Sequence, residues 1–115
     1  MPFPVIVKTL AEQKLTAYCK KKSPGHLAHE LRVAYEIRGN SVTIFEQRAP
    51  WRPEMSEWTS MPVAQVRFDQ KTGTWTLYCA DRNGKWHRYE GKQPSKDIGD
   101  LLSEIDRDPT GIFWG

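Results

Sequence analysis

The middle of the chain alternates apolar and polar residues, a pattern that predicts β-strands. Residues 32–48 alternate in this way on both sides of Gly39-Asn40. Glycine and asparagine both tolerate the positive φ that a two-residue hairpin turn requires, so this segment predicts a β-hairpin. In the register of that turn Ile37 faces Val42, and the apolar side chains gather on one side of the hairpin.

A second region, residues 62–90, predicts a three-stranded antiparallel meander. Its strands are expected at 63–68, 75–80 and 85–90. The first turn contains Gly73, which suits a left-handed position, and it sets Phe68 opposite Trp75. The first two strands therefore predict a shared apolar face.

The second turn of the meander contains Asn83-Gly84, the dipeptide most typical of a two-residue hairpin turn. It sets Asp81 opposite Trp86 and leaves Arg88 as the expected ion-pair partner of Asp81. Both turns then agree on one core face, made of Ala64, Val66, Phe68, Trp75, Leu77, Cys79 and Trp86. The opposite face is expected to carry Gln65, Arg67, Thr76, Tyr78, His87 and Tyr89, with Ala34, Glu36, Thr43, Phe45 and Gln47 from the hairpin.

Apolar residues spaced three and four apart predict a helix at each end of the chain. The first is expected over residues 4–22, and the second over 96–107 with Ser95 as its N-cap. Their apolar stripes are Val7, Leu10, Ala11 and Tyr18, with Leu15 beside them, in the first helix, and Ile98, Leu101, Leu102 and Ile105 in the second.

These elements predict a single α+β domain over residues 1–115. An N-terminal helix, a five-stranded antiparallel sheet over 32–90 and a C-terminal helix form two layers, with both helices on the apolar face of the sheet. A length of 115 residues, with 38% apolar and 11% aromatic residues, is typical of one folded domain with one core.

Two segments lie outside this scheme. The connector 48–61 is long for a loop and contains Trp51 and Trp58. The tail 110–115 carries the apolar triplet Ile-Phe-Trp. An apolar triplet at the end of a chain gains free energy by docking, so we expect the tail to pack with Trp51 or Trp58, within one chain or across a dimer.

Charge and cysteine content narrow the class of protein. Seventeen basic and 14 acidic residues give a net charge of +3, which permits an anionic partner without requiring one. No apolar run reaches the length of a membrane span, and no secretory signal is recognised at the start of the chain. Two cysteines form no disulfide framework, so we expect reduced thiols and a cytoplasmic location.

Four stretches of the sequence resemble a known family. They are IRGNSVTIFEQRAPWR (37–52), EWTSMPVAQVRFD (57–69), TWTLYCADRNGKWHRYE (74–90) and LLSEIDRDPTGIFWG (101–115). In these stretches the chain resembles the uncharacterised bacterial family described as domain of unknown function 3024. The resemblance implies a small single-domain bacterial protein. It brings no activity and no catalytic residues.

Metal binding and covalent catalysis are not favoured by the residue pattern. Cys19, His26 and His29 are spaced C-x6-H-x2-H, without the closely spaced cysteine pair of a zinc half-site. Cys79 is expected in the core and His87 on the opposite face, so the two would not share an ion. We expect no metal, no cofactor and no catalytic residue, and a non-catalytic role is favoured over a small enzyme of unknown reaction.

A protein interaction or assembly module is the function that the pattern favours. Tryptophan, tyrosine and arginine dominate interface hot spots. The candidates are Trp51, Arg52 and Trp58 of the connector and Phe113 and Trp114 of the tail. The partner is expected to be another protein or a second copy of the chain.

The alternative is a nucleic-acid-binding module that uses the open sheet face. Aromatic and basic side chains on such a face can stack bases and contact phosphates. The candidates are Arg67, Tyr78, Lys85, His87 and Tyr89. The same composition is ordinary for any solvated sheet face, so the two functions remain open at this point.

Overall fold

A computed structural model describes residues 4–23, 25, 30–50 and 57–114 of the chain. Along the chain, five strands lie between an N-terminal and a C-terminal helix. The elements are α1 (Val5–Lys22), β1 (Leu31–Arg38), β2 (Ser41–Arg48), β3 (Thr59–Asp69), β4 (Thr74–Ala80), β5 (Trp86–Arg88) and α2 (Ile98–Arg107). The predicted α+β architecture is confirmed.

The five strands form one antiparallel sheet in the order β1-β2-β3-β4-β5. Ile37 pairs with Val42, as the Gly39-Asn40 turn predicted. Phe68 pairs with Trp75, as the turn at Gly73 predicted. Gly39 and Gly73 both have positive φ, so glycine is required in the two turns for the expected reason.

A β-bulge between β2 and β3 was not predicted. Ile44 pairs with Ala64, whereas the next residue, Phe45, pairs with Pro62, so β3 carries one extra residue at this point. Beyond the bulge β3 continues back to Thr59, and it is therefore longer than the expected strand 63–68.

The second meander turn differs from the prediction by one residue. The loop Arg82–Gly84 has three residues, because the Asp81 N–H donates to the Lys85 carbonyl, and Gly84 occupies a left-handed position. The Asp81 carboxylate Oδ1 accepts the N–H groups of Asn83 and Lys85 and so stabilises this longer loop.

The one-residue change moves every side chain after the loop to the other face. Trp86 pairs with Ala80, and Arg88 pairs with Tyr78, both on the face without helices. Tyr89 lies on the helix side, where it is buried and donates to Glu104 Oε2 at 2.9 Å. The predictions that Trp86 is a core residue and that His87 and Tyr89 lie on the open face are wrong.

Helix α1 covers the sheet with its C-terminal part. Ala11, Leu15, Tyr18 and Cys19 are buried, whereas Leu10, predicted in the apolar stripe, is 55% exposed. Leu15 lies at the centre of the contact, so the buried stripe is rotated from the predicted one. In the part of the chain that the structure describes, no helix is long and apolar enough to cross a membrane.

Helix α2 buries the predicted stripe of Ile98, Leu101, Leu102 and Ile105. Its N-cap is Asp97, whose side chain accepts the Gly99 N–H, and not Ser95. Ser95 instead forms a β-bridge with Trp75, which extends the sheet contact up to the start of the helix.

Opposite charges pair within the helix layer. Lys14 binds Asp97, and Lys22 binds Asp106 at 2.8 Å. Lys92 lies 3.7 Å from Asp100. These pairs join α1 and the segment before α2 to α2 itself, so much of the acidic charge of this layer is neutralised locally.

Candidate binding face

The helices leave one face of the sheet open. Strand alternation and the pairing registers define this open face. It carries Arg32, Ala34, Glu36 and Arg38 of β1, Ser41, Thr43, Phe45 and Gln47 of β2, Pro62, Gln65, Arg67 and Asp69 of β3, Thr76, Tyr78 and Ala80 of β4, and Trp86 and Arg88 of β5.

Cross-strand pairing arranges these side chains in three rows of different chemistry. The basic row is Arg38, Ser41, Arg67 and Thr76, and the middle row is Glu36, Thr43, Gln65, Tyr78 and Arg88. Pairing also joins Ala34, Phe45 and Pro62, and separately Ala80 and Trp86. Because Phe45, Pro62 and Trp86 line one depression, these five residues are called the apolar row. Each row runs across the strands.

A shallow depression of about 260 Å³ joins the apolar row to the middle and basic rows. Phe45, Pro62 and Trp86 form one part of its wall, and Glu36, Arg38 and Gln65 contribute polar groups. The β2–β3 bulge turns Pro62 toward this face. The depression therefore combines aromatic surface with hydrogen-bonding groups, one cation and one carboxylate.

Arg67 is held in one orientation by its neighbours. Its Nε donates to Gln65 Oε1 at 2.7 Å, and its guanidinium lies 3.9 Å from the centroid of the Tyr78 ring. The Gln65 Nε2 donates to the Thr43 hydroxyl at 2.9 Å, and Gln65 is buried. The network fixes a cation at the surface, with its remaining N–H groups available.

Arginine is unbalanced on the open face. Four arginines face two carboxylates there, Glu36 and Asp69. Among the described residues Arg38 and Arg88 form no ion pair. The two layers therefore differ, because Lys14, Lys22 and Lys92 of the helix layer pair with carboxylates, whereas Arg38 and Arg88 of the open face do not pair among the described residues.

Trp58, a connector residue predicted for protein binding, lies over the open face. The Arg32 guanidinium is 4.1 Å from its ring centroid, and Arg32 Nε donates to Gln47. Trp51 and Arg52, the other connector candidates, lie outside the described residues.

The tail packs on the helix side of the sheet. Phe113 is buried, with its ring centroid 5.1 Å from that of Tyr89. The Trp114 Nε1 donates to the Ile105 carbonyl at 3.1 Å. The tail and Trp58 are therefore on opposite faces, so the predicted pairing of the two within one chain is wrong. Pairing of the tail with Trp51, which lies outside the described residues, or across a dimer stays a prediction.

Asp108 anchors this tail from the end of α2. Its two carboxylate oxygens accept the backbone N–H groups of Phe113 and Trp114, and its own φ is +42°. Lys22 of α1 lies 5.0 Å from the Trp114 ring. Phe113 and Trp114, predicted as partner-binding residues, are thus engaged by their own chain.

The nucleic-acid candidates divide between the two faces. Arg67 and Tyr78 lie together on the open face. Lys85 is exposed beside the β4–β5 loop, whereas His87 and Tyr89 belong to the helix side. Sequence reasoning missed Trp86 and Arg88, which occupy the open face in place of His87 and Tyr89. The aspartate at the start of the DRNGK loop was the available indication of a longer turn.

Asp81 and His87 form an exposed pair at the end of β4. The His87 Nε2 lies 2.7 Å from Asp81 Oδ2, so the predicted partner Arg88 is wrong. The bond to His87, with the loop N–H groups, holds the pKa of the Asp81 carboxyl below its usual value. Since the same carboxylate caps the loop, this pair has a structural explanation.

The cysteines do not resemble nucleophiles. Cys19 and Cys79 are free and buried. Burial raises the pKa of the Cys19 thiol to about 11 and raises that of Cys79 as well. Over the described ranges no three histidine, cysteine, aspartate or glutamate side chains are grouped to hold a metal, while His26 and His29 lie outside them.

An apolar cavity of about 420 Å³ lies on the helix side. Val7, Leu10, Phe68, Trp75 and Ile98 contribute most of its wall. Its polar lining includes Lys14 and Asp97, which bind each other. The arrangement is that of a packing groove between α1 and the start of α2.

Comparison with known proteins identifies the family and adds no activity. No curated protein and no solved structure shows significant similarity to this chain. One family model, described as a domain of unknown function, matches residues 3–115. Because that match covers nearly the whole chain, the protein belongs to the family of domain of unknown function 3024 (DUF3024).

Proposed function

We propose that the open face binds single-stranded nucleic acid, in the cytoplasm of a bacterium. The observation that carries the proposal is the fixed Arg67 guanidinium on Tyr78. It shares the open face with the partly exposed rings of Phe45 and Trp86 and with Arg38 and Arg88, which form no ion pair among the described residues. Single-strand binders combine aromatic side chains that stack on bases with cations that contact the backbone. The buried, free thiols of Cys19 and Cys79 support a reducing compartment.

The shape of the surface favours a single strand over a duplex. The partly exposed rings of Phe45 and Trp86 can stack on the flat surface of an unpaired base. In a duplex that surface is covered by the neighbouring bases. Five strands at about 4.8 Å spacing give a face roughly 20 Å wide, enough for a few nucleotides. The proposed ligand is a short segment of unpaired nucleic acid.

A protein partner at the same face is the second candidate. The Trp58–Arg32 stack favours it, since tryptophan and arginine are the side chains most enriched in interface hot spots. Phe113 and Trp114 of the tail give less support to a protein partner, because they pack within their own chain. Salt dependence separates the two candidates, because only a polyanion releases many counterions on binding.

The test is fluorescence anisotropy with a labelled mixed-sequence 12-mer, in DNA and RNA forms, at several salt concentrations. Binding through the four arginines predicts a slope of log K against log salt of up to about −3, from about −0.7 per phosphate contact on a single strand. A double-stranded oligonucleotide of the same sequence should bind more weakly, since its bases cannot reach the rings.

Two double variants with the same charge change provide the matched control. Arg38→Gln with Arg88→Gln removes two cations from the open face, whereas Lys8→Gln with Lys20→Gln removes two from the exposed side of α1. The first should reduce the salt slope by about 1.4 and the affinity by roughly tenfold, and the second should change either little. Equal losses in both variants, or no binding at low salt, would reject the proposal.

A further inference from the structure

One corner of the open face forms a second recess, separate from the aromatic depression. Its volume is about 440 Å³, and Asn40, Arg67, Asp69, Lys71 and Tyr78 contribute to its wall. It lies where the β1–β2 turn meets the β3–β4 turn, since the Asn40 Nδ2 donates to the Phe68 carbonyl and Phe68 N–H donates to the Asn40 carbonyl. The two turns give this corner pocket a rigid frame.

Within the corner pocket Arg67 has its orientation set before any ligand arrives. Its Nε is engaged by Gln65, and one face of its guanidinium is covered by the Tyr78 ring. Among the described residues its two Nη groups have no acceptor. The edge formed by those groups is the part of the guanidinium that binds two oxygens of one anion.

The charge of the pocket favours an anion. Arg67 and Lys71 supply two cations, and Arg38 lies in the same row, with Ser41 paired to both arginines. The single carboxylate in the wall, Asp69, accepts the Lys71 backbone N–H through Oδ1, which fixes it in the turn. A tetrahedral oxyanion fits these groups, because guanidinium geometry matches two of its oxygens.

We infer that the corner pocket binds a phosphoryl group through the Nη edge of Arg67, with Gln65 and Tyr78 as positioning residues. The inference rests on the proposed function, because the phosphoryl group is taken to belong to the bound nucleic-acid strand. A strand lying across the open face leaves it at this corner, so the phosphoryl group is either a terminal phosphate or the phosphodiester at that point of the chain.

Two conservative variants separate geometry from charge. Arg67→Lys and Arg82→Lys both keep the positive charge, but only the first loses a guanidinium held by Gln65 and Tyr78, whereas Arg82 is exposed in the β4–β5 loop. We expect Arg67→Lys to weaken oligonucleotide binding at least fivefold and Arg82→Lys to change it less than twofold. Gln65→Met keeps the side-chain volume and removes the amide, and it should reproduce the Arg67→Lys effect. Circular dichroism melting checks that each variant is folded.

Direct observation of the arginine Nε–H signals by NMR keeps the inference testable without any oligonucleotide. Inorganic phosphate should shift the Arg67 signal saturably and leave that of Arg88 nearly unchanged, and Gln65→Met should abolish the shift. Oligonucleotides with a 5′-phosphate, a 3′-phosphate or neither distinguish the sources. A gain of threefold or more with one terminal phosphate assigns the pocket to a chain end, and equal affinities assign it to a phosphodiester.

The outcomes also separate this inference from the proposed function. Oligonucleotide binding with equal effects of Arg67→Lys and Arg82→Lys, and no selective Arg67 shift, would overturn the corner pocket and leave the open-face proposal standing. A selective Arg67 shift by inorganic phosphate, with no oligonucleotide binding, would support the pocket and reject the nucleic-acid ligand.

Discussion

The two faces of one sheet treat charge and aromatic surface in opposite ways. On the helix side the aromatic rings of Phe68, Trp75 and Tyr89 are buried. Lys14 and Lys22 of α1 are paired there with Asp97 and Asp106. On the open face Tyr78 and Trp86 are half-buried, and Arg38 and Arg88 lack an ionic partner among the described residues.

The helix side therefore stabilises the fold, whereas the open face is the surface that we propose for ligand binding. A surface whose apolar groups are covered and whose charges are neutralised has little left to offer a ligand, whereas unpaired arginines beside half-exposed rings keep their interaction capacity. The same strands thus support the core with one set of side chains and present the open face with the alternate set. The predictions below test this separation.

The largest effect should come from neighbouring residues of β4 that point to opposite faces. Leu77→Ala removes a fully buried side chain and should lower the free energy of unfolding by about 3 kcal/mol. Tyr78→Ala should lower it by less than about 1 kcal/mol and instead weaken nucleic-acid binding, because it removes the ring on which the Arg67 guanidinium is held. Chemical denaturation measures the stability of both variants, and fluorescence anisotropy measures their nucleic-acid binding. Similar losses of stability in the two variants would contradict the prediction.

The tail gives a second pair with opposite exposure. Phe113 is buried against Tyr89, whereas its neighbour Ile112 is 47% exposed. Phe113→Ala should cost about 3 kcal/mol of stability and Ile112→Ala less than about 1 kcal/mol. Neither change should alter oligonucleotide affinity in the folded protein, since the tail lies on the helix side. Unchanged melting of the Phe113 variant would show that the tail does not contribute to the core.

The β4–β5 loop should show a smaller effect. Gly84 has φ +79°, so Gly84→Ala introduces a side chain where L-residues are strained and should destabilise the protein by about 1 kcal/mol. Arg82→Ala, at an exposed position of the same loop, is the control and should be nearly neutral. Thermal melting of both variants checks this; a neutral Gly84 variant would argue against the three-residue loop and the faces assigned to Trp86 and Arg88.

The smallest effect concerns the buried thiols. Burial raises the pKa of the Cys19 thiol to about 11. The thiol therefore stays protonated in the folded protein at pH values where the same thiol of the unfolded chain is deprotonated. Stability from this group is therefore complete below about pH 8.5 and declines as the pH rises toward 11. Native alkylation at pH 8.5 should be slow at both cysteines and fast in denaturant; rapid native labelling of Cys19 would contradict its burial.

The three hairpin turns show how much of the fold can be predicted from the sequence. Glycine at the turns and alternation in the strands predicted the β1–β2 and β3–β4 registers, because both depend on local backbone chemistry. At DRNGK the Asn-Gly dipeptide fits a two-residue turn equally well, and the choice depends on the Asp81 carboxylate accepting two loop N–H groups. The bulge at Phe45 depends on packing between strands distant in sequence, which no local pattern contains.

The candidate face was predictable only where the register was right. Arg67 and Tyr78 follow from the β3–β4 turn, so they were found together. The positioning role of Gln65 arises from a cross-strand bond to Thr43, a contact between residues far apart in the chain. The two-residue register at Asn83-Gly84 predicts Trp86 on the core face, and the extra loop residue places it on the open face with the arginines instead.

The most direct test of the central claim uses the tryptophan indole N–H signals as reporters of the two faces. Trp58 and Trp86 lie on the open face, and Trp75 and Trp114 on the helix side. In an NMR titration with a single-stranded 12-mer, the first two signals should shift saturably and the other two should stay in place. Shifts at Trp75 and Trp114 with none at Trp58 and Trp86 would contradict the account.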